Sequence, residues 1–334
     1  MTQHIIYGYD LSYFTRKVEA AFELSGQAFT RRGKTLLRKK KIERLGKTHQ
    51  VPVVRCPNGD YLADSTPIIE YLDGLGTSHP LLPSGTEGLL VRLLEEWLDE
   101  WFSRVVIHFR WNFSECAAFA GPYLGAEIMP GFPGFVQRRV GGQIAQWGQK
   151  AVRALALDQE SQQSSAEAVF ERVCTALNEQ LAHTPYALGE RATAVDAVLI
   201  GALRAHLMMD PEPRRRLSAY PRLRQWAGRK QTVVQGGEIS DFRGPNAFAQ
   251  VILTEMAGDY RSFITANGAA LQARRKAFEL EINGEQTSFL ARRYPETSRC
   301  ALIAWISALP SSDQMEINQW LAKQRLGSIF SKVA

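Results

Sequence analysis

Cysteine is scarce in this 334-residue sequence, and its few copies lie far apart. The four are Cys56, Cys116, Cys174 and Cys300, and no two of them form a CxxC pair. This spacing supports neither a disulfide framework nor a cysteine-based metal site, so we expect no metal. A reducing cytoplasm is the simplest location for such a chain.

Long hydrophobic runs are also missing. No stretch approaches the roughly 20 apolar residues of a membrane-spanning helix, and we expect no membrane partner. The start, MTQHIIYGYD, has no basic segment followed by a long apolar run, so we expect no signal peptide. We find no internal repeat. An apolar content of 45% with 22% charged residues is typical of a globular protein, and the length predicts two or three domains.

Acidic residues are in the minority, and the formal net charge is +6. Residues 31–47, RRGKTLLRKKKIERLGK, hold nine Lys or Arg against one Glu. Such a run is typical of a solvated face, and it would raise the local concentration of an anionic ligand. Nucleic acid is not the expected partner, because the run lacks interleaved aromatic residues and any recognised motif.

Strand and helix patterns alternate over the first 75 or so residues. The β-branched and aromatic residues of HIIYGY predict a strand, and the turn signal PNGD predicts a hairpin. In STPIIEYLDGLG, Ser65 lies at or near the N-cap of a predicted helix. The predicted order is βαβαββα, with strands at 4–9, 27–33 and across 51–63, helices at 13–26 and 65–76, and a weakly periodic basic segment between 34 and 47.

Pro52 stands inside THQVPVV, just before the third predicted strand. Proline has no N–H to donate and is normally absent from central strands. A proline at this point of a βαβαββα order is typical of the thioredoxin-like plan, in which the bond before it is cis. We therefore expect a cis Val51–Pro52 bond that turns the N–H and C=O of Val51 outward, where they would pair with a bound peptide.

The remainder of the chain is mostly helical in texture. Thr193 and Asp196 predict a capping box at the start of a very apolar helix. Asn283–Gly284 predicts the turn of a hairpin in AFELEINGEQTSFLA. Residues 184–209 predict a loop followed by that apolar helix. Other predicted helices lie at 86–113, 136–157, 163–183, 247–276, 295–309 and 312–325; linkers lie at 77–85 and 231–246, and the glycines and prolines of 120–135 predict an interruption.

Four motifs in order carry a resemblance to a known family. They are IYGYDLSYFTRKV, HQVPVV, LADSTPIIEYL and ALGERATAVDAVLIGAL. With them, residues 4–230 resemble the cytosolic glutathione S-transferase superfamily, and the loop before the first helix resembles that of its serine-type theta and zeta classes. The last 90 or so residues are not part of the usual family plan.

The resemblance implies an α/β thioredoxin-like N-terminal domain followed by an all-α domain, with an extra small α+β C-terminal extension. We expect the domains at 1–76 and 77–235, and a C-terminal module with a β-hairpin and helices at 236–334. It further implies an enzyme that conjugates the glutathione thiolate to a hydrophobic electrophile in detoxification, and a homodimer. The alternative is a non-catalytic scaffold of the same fold.

Glutathione, a tripeptide co-substrate, needs backbone pairing, anion donors and a partner for its ammonium group. Val51, turned outward by Pro52, would pair with the peptide. Ser65 and the N–H groups of the following helix would bind the γ-glutamyl carboxylate, and the resemblance places Asp64 opposite the ammonium group. Residues Lys47 and Gln50 would reach the glycyl carboxylate.

The resemblance ranks Ser12 first as the hydroxyl that stabilises the thiolate, with Tyr7 second and Tyr13 third. Ser12 could alternatively be only the N-cap of the first helix. Tyr13 stands where bacterial relatives often have proline, and no cysteine lies in this loop. Arg104, His108 and Trp111 are candidates for the electrophile pocket, although a helix histidine with ordinary hydrogen-bonding partners is the favoured interpretation of His108.

Overall fold

In the computed structural model, residues 3–77, 79–233 and 236–331 are described. The expected domain boundary after residue 235 lies outside them. The N-terminal part holds a four-stranded sheet in the order β2-β1-β3-β4, with β1 and β2 parallel and the other neighbours antiparallel. The strands are β1 (His4–Gly8), β2 (Phe29–Gly33), β3 (Val53–Arg55) and β4 (Tyr61–Ala63).

Three helices complete the predicted βαβαββα order, which is confirmed. They are α1 (Tyr13–Leu24), α2 (Leu36–Gly46) and α3 (Ser65–Asp73). Helix α1 buries Val18, Ala21 and Phe22, because these apolar residues share one helical face. Most of the basic run in α2 is exposed, and Ile42 is the residue of this helix that is buried. This part of the chain is the expected thioredoxin-like domain.

The middle part is helical. Its helices are α4 (Gly88–Trp97), α5 (Ser103–Asn112), α6 (Ser114–Ile128), α7 (Gly134–Ala154), α8 (Glu160–Gln180), α9 (Ala194–Ala202), α10 (Pro211–Arg216) and α11 (Pro221–Gly228). A π-helical segment, Leu98–Phe102, joins α4 to α5. Helix α9 begins at the predicted capping box, in which Asp196 accepts the Thr193 N–H.

The interruption predicted at 120–135 is wrong for most of that stretch. Helix α6 continues through Gly121 and Gly125, and only residues 129–133 separate it from α7. The glycines allow close packing of the two helices: a Cβ on Gly125 would lie 2.1 Å from the Gln137 carbonyl oxygen, and one on Gly141 would lie 2.4 Å from that of Gly121. These glycines therefore allow the two helices to contact each other closely.

The C-terminal module adds helices and a two-stranded sheet. Its elements are α12 (Ala247–Glu255), α13 (Arg261–Gln272), β5 (Ala277–Ile282), β6 (Glu285–Leu290), α14 (Arg293–Ser307), α15 (Ser311–Lys323) and α16 (Gly327–Phe330), with a π-helical segment at Met256–Tyr260. The predicted hairpin is confirmed, and Asn283 and Gly284 both have positive φ at its turn. Phe263 packs against Trp101, so the module shares the core of the helical part.

Close packing between α1 and α9 holds the first two parts together. A Cβ on Gly201 would lie 2.6 Å from the backbone nitrogen of Lys17, so a glycine lets α9 approach α1. This contact places the N-terminal sheet and the α4–α5 stretch around a common cavity. Within the described residues, no helix has the length and apolar character that crossing a membrane requires.

Candidate functional site

A cavity of about 1120 Å³ lies where all three parts of the chain meet. The N-terminal part contributes the segment around Val51 and the start of α3, and α4 and the π-helical segment that follows it contribute the floor. Helix α14 of the C-terminal module forms the third wall. The residues that line the cavity are Phe14, Gly46, Lys47, Thr48, Gln50, Val51, Pro52, Ala63, Asp64, Ser65, Thr66, Pro67, Glu70, Arg92, Glu95, Glu96, Asp99, Glu100, Ser103, Arg292, Arg293, Tyr294, Thr297, Ser298, Ala301, Leu302 and Trp305.

The segment before β3 presents unpaired backbone to this cavity. The Val51–Pro52 bond is cis, which confirms the prediction. Within the described residues, neither the N–H nor the C=O of Val51 has a backbone partner. Lys34 is only 3% exposed, and its ammonium group donates to the carbonyls of His49 and Gln50 at 2.5 and 3.2 Å. This buried lysine therefore holds the loop that carries Val51.

The start of α3 forms the adjoining wall. Asp64 occupies the N-cap position with φ 74°, and Ser65 is the first residue of the helix. Ser65 is 3% exposed and lines the cavity, and its hydroxyl has no hydrogen-bonding partner in the described part of the chain. A hydroxyl beside free helix N–H groups is a good environment for a carboxylate.

Four carboxylates from one helical stretch form what we call the acidic floor: Glu95, Glu96, Asp99 and Glu100. Burial, and next the charge of Glu100, raise the pKa of Glu96 to about 8. Burial also raises the pKa of Asp99 to about 8, although Lys17 lies 2.5 Å away. Asp99 and Glu95 in turn outweigh the burial of Lys17 and raise its pKa.

Helix α14 brings cations and aromatic rings to the opposite side. Arg92 of α4 stacks over the Trp305 ring at 4.9 Å. The side chain of Arg292 lies 3.8 Å from Glu100. Burial, with the charges of Asp64 and Glu100, raises the pKa of Tyr294. The cavity thus has an acidic floor and a more basic, aromatic rim.

The structure brings all six sequence-predicted glutathione contacts to this cavity. Val51, Pro52, Asp64, Ser65, Gln50 and Lys47 all line it. They come from two segments separated by β3 and β4, and these two strands bring the segments together. Lys47 takes a left-handed conformation with φ 52° where α2 ends.

The three hydroxyl candidates for the thiol do not line the cavity. The Oγ of Ser12 accepts the Thr15 N–H at 3.3 Å and caps α1. Tyr7 is 8% exposed and packs with Ile42 and Val53 between β1 and α2. The Tyr13 hydroxyl donates to the Leu98 carbonyl at 3.0 Å, and burial raises its pKa.

The three electrophile-pocket candidates also lie away from the cavity. Arg104 stacks over Trp101 at 4.0 Å and donates to Gln162. The Nε2 of His108 lies 3.2 Å from Glu167, and burial lowers the pKa of His108. Trp111 packs against α7, where a Cβ on Gly148 would lie 2.3 Å from its ring. Helix α5 turns these side chains toward α7, α8 and the hairpin, and Ser103 is the residue of α5 that lines the cavity.

Sequence reasoning missed the acidic floor and the third wall. The floor does have a signal: in LLVRLLEEWLDEW, two adjacent acid pairs recur four residues apart in an otherwise apolar helix. Charged residues at buried positions of that kind favour a functional or paired role. Nothing comparable marks Arg292 or Tyr294, because their approach depends on how the C-terminal module packs. Within the described residues, no group of three or more His, Cys, Asp or Glu is arranged to hold a metal.

Comparison with models of known protein families finds two matches along the chain. Residues 6–77 match the model of the glutathione S-transferase N-terminal domain, and residues 142–229 match that of the C-terminal domain. Neither match reaches the C-terminal module. A search of curated proteins finds no match.

Solved structures of low similarity include several glutathione S-transferases. One from Rhodospirillum rubrum F11 is 16% identical, with 75% of this chain and 99% of that chain covered and a TM-score of 0.43. One from Xanthobacter autotrophicus Py2 is 20% identical over 70% and 97%, with a TM-score of 0.38. One from Methylobacillus flagellatus KT, with GSH bound, is 16% identical over 75% and 98%, with a TM-score of 0.37. The two domain matches, in this order along the chain, support the glutathione S-transferase superfamily for this protein.

Proposed function

We propose that this protein binds glutathione in the cavity and conjugates its thiolate to a hydrophobic electrophile. The observation that carries the proposal is the unpaired Val51 backbone in one cavity with the start of α3. Val51 would pair with the cysteinyl residue, and Ser65 and the α3 N–H groups would bind the γ-glutamyl carboxylate. Asp64 would face the ammonium group, and Lys47 and Gln50 the glycyl carboxylate.

In this proposal Ser12 stabilises the thiolate, with Tyr7 and Tyr13 as the second and third candidates. Support comes from the position of Ser12 at the start of α1, two residues before the cavity-lining Phe14. In a substitution the thiolate sulfur would form a bond to carbon as the bond from that carbon to a leaving group, such as chloride, breaks. In an addition it would form the bond as a carbon–carbon π bond breaks, and the neighbouring carbon would take up a proton from water. The helix N-terminus would add to the stabilisation of the thiolate.

A scaffold without transferase activity is the second candidate. It is favoured by one observation: Ser12, Tyr7 and Tyr13 do not line the cavity, and each already has partners or packs in the core. The proposed division into parts at 1–76, 77–235 and 236–334 is common to both functions. Both proposed functions also include a twofold homodimer in the cytoplasm. Light scattering should then give a mass of twice the 37.4 kDa of one chain.

Two measurements test the proposal. Retention on immobilised glutathione should be lost in Ser65→Ala, which removes a donor to the carboxylate. Conjugation of a chlorodinitrobenzene should fall at least about tenfold in Ser12→Ala if its hydroxyl stabilises the thiolate. Retention without any conjugation would select the scaffold, and no retention by the unaltered protein would exclude both glutathione functions.

A further inference from the structure

The acidic floor holds more carboxylates than the cations beside it. Four carboxylates lie on one stretch of helix, and in the described part of the chain two cations pair with them, Lys17 from α1 and Arg292 from the C-terminal module. Buried charges are normally paired, since an unpaired one loses its hydration without compensation. The pKa values of Glu96 and Asp99 are raised to about 8, and a further positive group on the floor would favour the ionised form of both.

Two of the four carboxylates have ample partners. Glu95 accepts from Lys17 at 2.8 Å and from the Thr66 hydroxyl at 2.9 Å. Glu96 accepts from the Tyr260 hydroxyl at 2.5 Å and from the hydroxyl of Ser298. The other two carboxylates, those of Asp99 and Glu100, have fewer hydrogen-bonding partners.

The Oδ2 of Asp99 accepts from Lys17, but its Oδ1 is buried and has no hydrogen-bonding partner among the residues that the structure describes. Glu100 is only 7% exposed and lines the cavity. Within the described residues it makes no hydrogen bond, and its single ion pair is the 3.8 Å approach of Arg292. Burial raises its pKa, as expected for a carboxylate with too few partners.

We propose that the acidic floor, through Glu100, binds the ammonium group of a second ligand, an amine with an apolar body. The body would lie along Phe14, Leu302 and Trp305, which line the same cavity. At about 1120 Å³ the cavity lies just above the range of roughly 300–1,000 Å³ that is usual for ligand sites. The inference rests on the proposed function and deepens it: the electrophile carries a primary ammonium group.

Calorimetric titration of the full chain with phenylbutylamine tests this, with phenylbutanol as the neutral probe of similar shape. The amine should bind at least about tenfold more tightly than the alcohol. Glu100→Gln should weaken amine binding about tenfold and leave alcohol binding unchanged. The matched control is Glu70→Gln, because Glu70 lines the same cavity but is exposed and paired with Arg92. It should change amine binding less than twofold.

Arg292→Gln gives a second, opposite test that does not depend on how well Glu100→Gln folds. Without the competing guanidinium, the amine should bind several-fold more tightly. Equal affinity for amine and alcohol, or no change in either variant, would overturn the inference. So would a loss of glutathione binding in Glu100→Gln without a loss of amine binding, since the floor would then hold the ammonium group of glutathione itself.

The same titrations with glutathione separate this inference from the proposed function. If the unaltered protein does not bind glutathione but keeps its preference for the amine, with both variant effects, the proposed function fails and the ammonium site stands. If glutathione binds and the amine does not, the reverse holds.

Discussion

Lys34 belongs to the basic run of residues 31–47, but unlike Lys39 it is buried. Its ammonium group pairs with Glu43 at 3.0 Å and holds two carbonyls of the loop before Val51. Under the proposed function, Lys34→Met should therefore weaken glutathione binding about tenfold, because the loop loses charge-assisted hydrogen bonds. Calorimetry well below the unfolding temperature measures this. Lys39→Met is the matched control, and equal affinities in the two variants would contradict the prediction.

Glu96 makes stability depend on pH. Its pKa of about 8 in the folded state lies above the ordinary 4.5 expected when the chain unfolds. Between these values the folded state binds more protons, so the free energy of unfolding should fall as pH rises from about 4.5 to about 8, by up to a few kcal/mol.

Because a glutamine at position 96 cannot ionise, Glu96→Gln should reduce the fall of the free energy of unfolding with pH. The part of this pH dependence that comes from Asp99 should remain. Urea unfolding at several pH values measures the slope. Glu316→Gln, at the exposed ion pair with Arg243, serves as the control and should keep it. A steeper fall in Glu96→Gln would show that the sign is wrong.

At the scale of elements, the contact between α6 and α7 depends on single glycines. Gly141→Ala would place a methyl group 2.4 Å from the Gly121 carbonyl oxygen, so the helices must separate, at a cost of about 1–3 kcal/mol. For the neighbouring Gly142, no heavy atom of the described residues lies within 4 Å of an added Cβ. Gly142→Ala should therefore stabilise α7 by about 0.5–1 kcal/mol.

The two variants differ only in which face of α7 they change. Thermal and urea unfolding should show opposite signs for them. A stabilising Gly141→Ala would mean that α6 and α7 can separate without cost, which the short interhelical distances argue against.

Element by element, much of the fold follows from local signals. The cis bond at Pro52, the capping box of Thr193 and Asp196, and the turn at Asn283–Gly284 each act within a few residues, and all three predictions are confirmed. The glycines of α6 were misinterpreted because the same residue type ends one helix and allows another to pack closely. Only the partner helix distinguishes the two cases.

At the scale of the whole molecule, the C-terminal module and the helical part share one core. Phe263 is 1% exposed, and its ring centroid lies 4.9 Å from that of Trp101 and 5.3 Å from that of Phe289. Phe263→Ala should cost about 3–5 kcal/mol. Because the core is continuous, tryptophan fluorescence and far-UV circular dichroism should still report one coincident unfolding transition.

Met315→Ala, at a residue that is 64% exposed, should change stability by less than about 0.5 kcal/mol. An early, separate transition in Phe263→Ala, with the rest of the molecule unaffected, would show that the module folds independently.

The sequence by itself determined the thioredoxin-like order and the open backbone at Val51, because proline, caps and alternating patterns act over short distances. The residues expected around Val51 followed from the family resemblance of its motifs. The tertiary structure alone decided what faces the cavity. Glu100 and Arg292 lie 3.8 Å apart although nearly two hundred residues separate them in the chain, and Ser12 lies outside the cavity lining although Phe14 is part of it. Such contacts depend on how separate elements pack, and local patterns do not encode that packing.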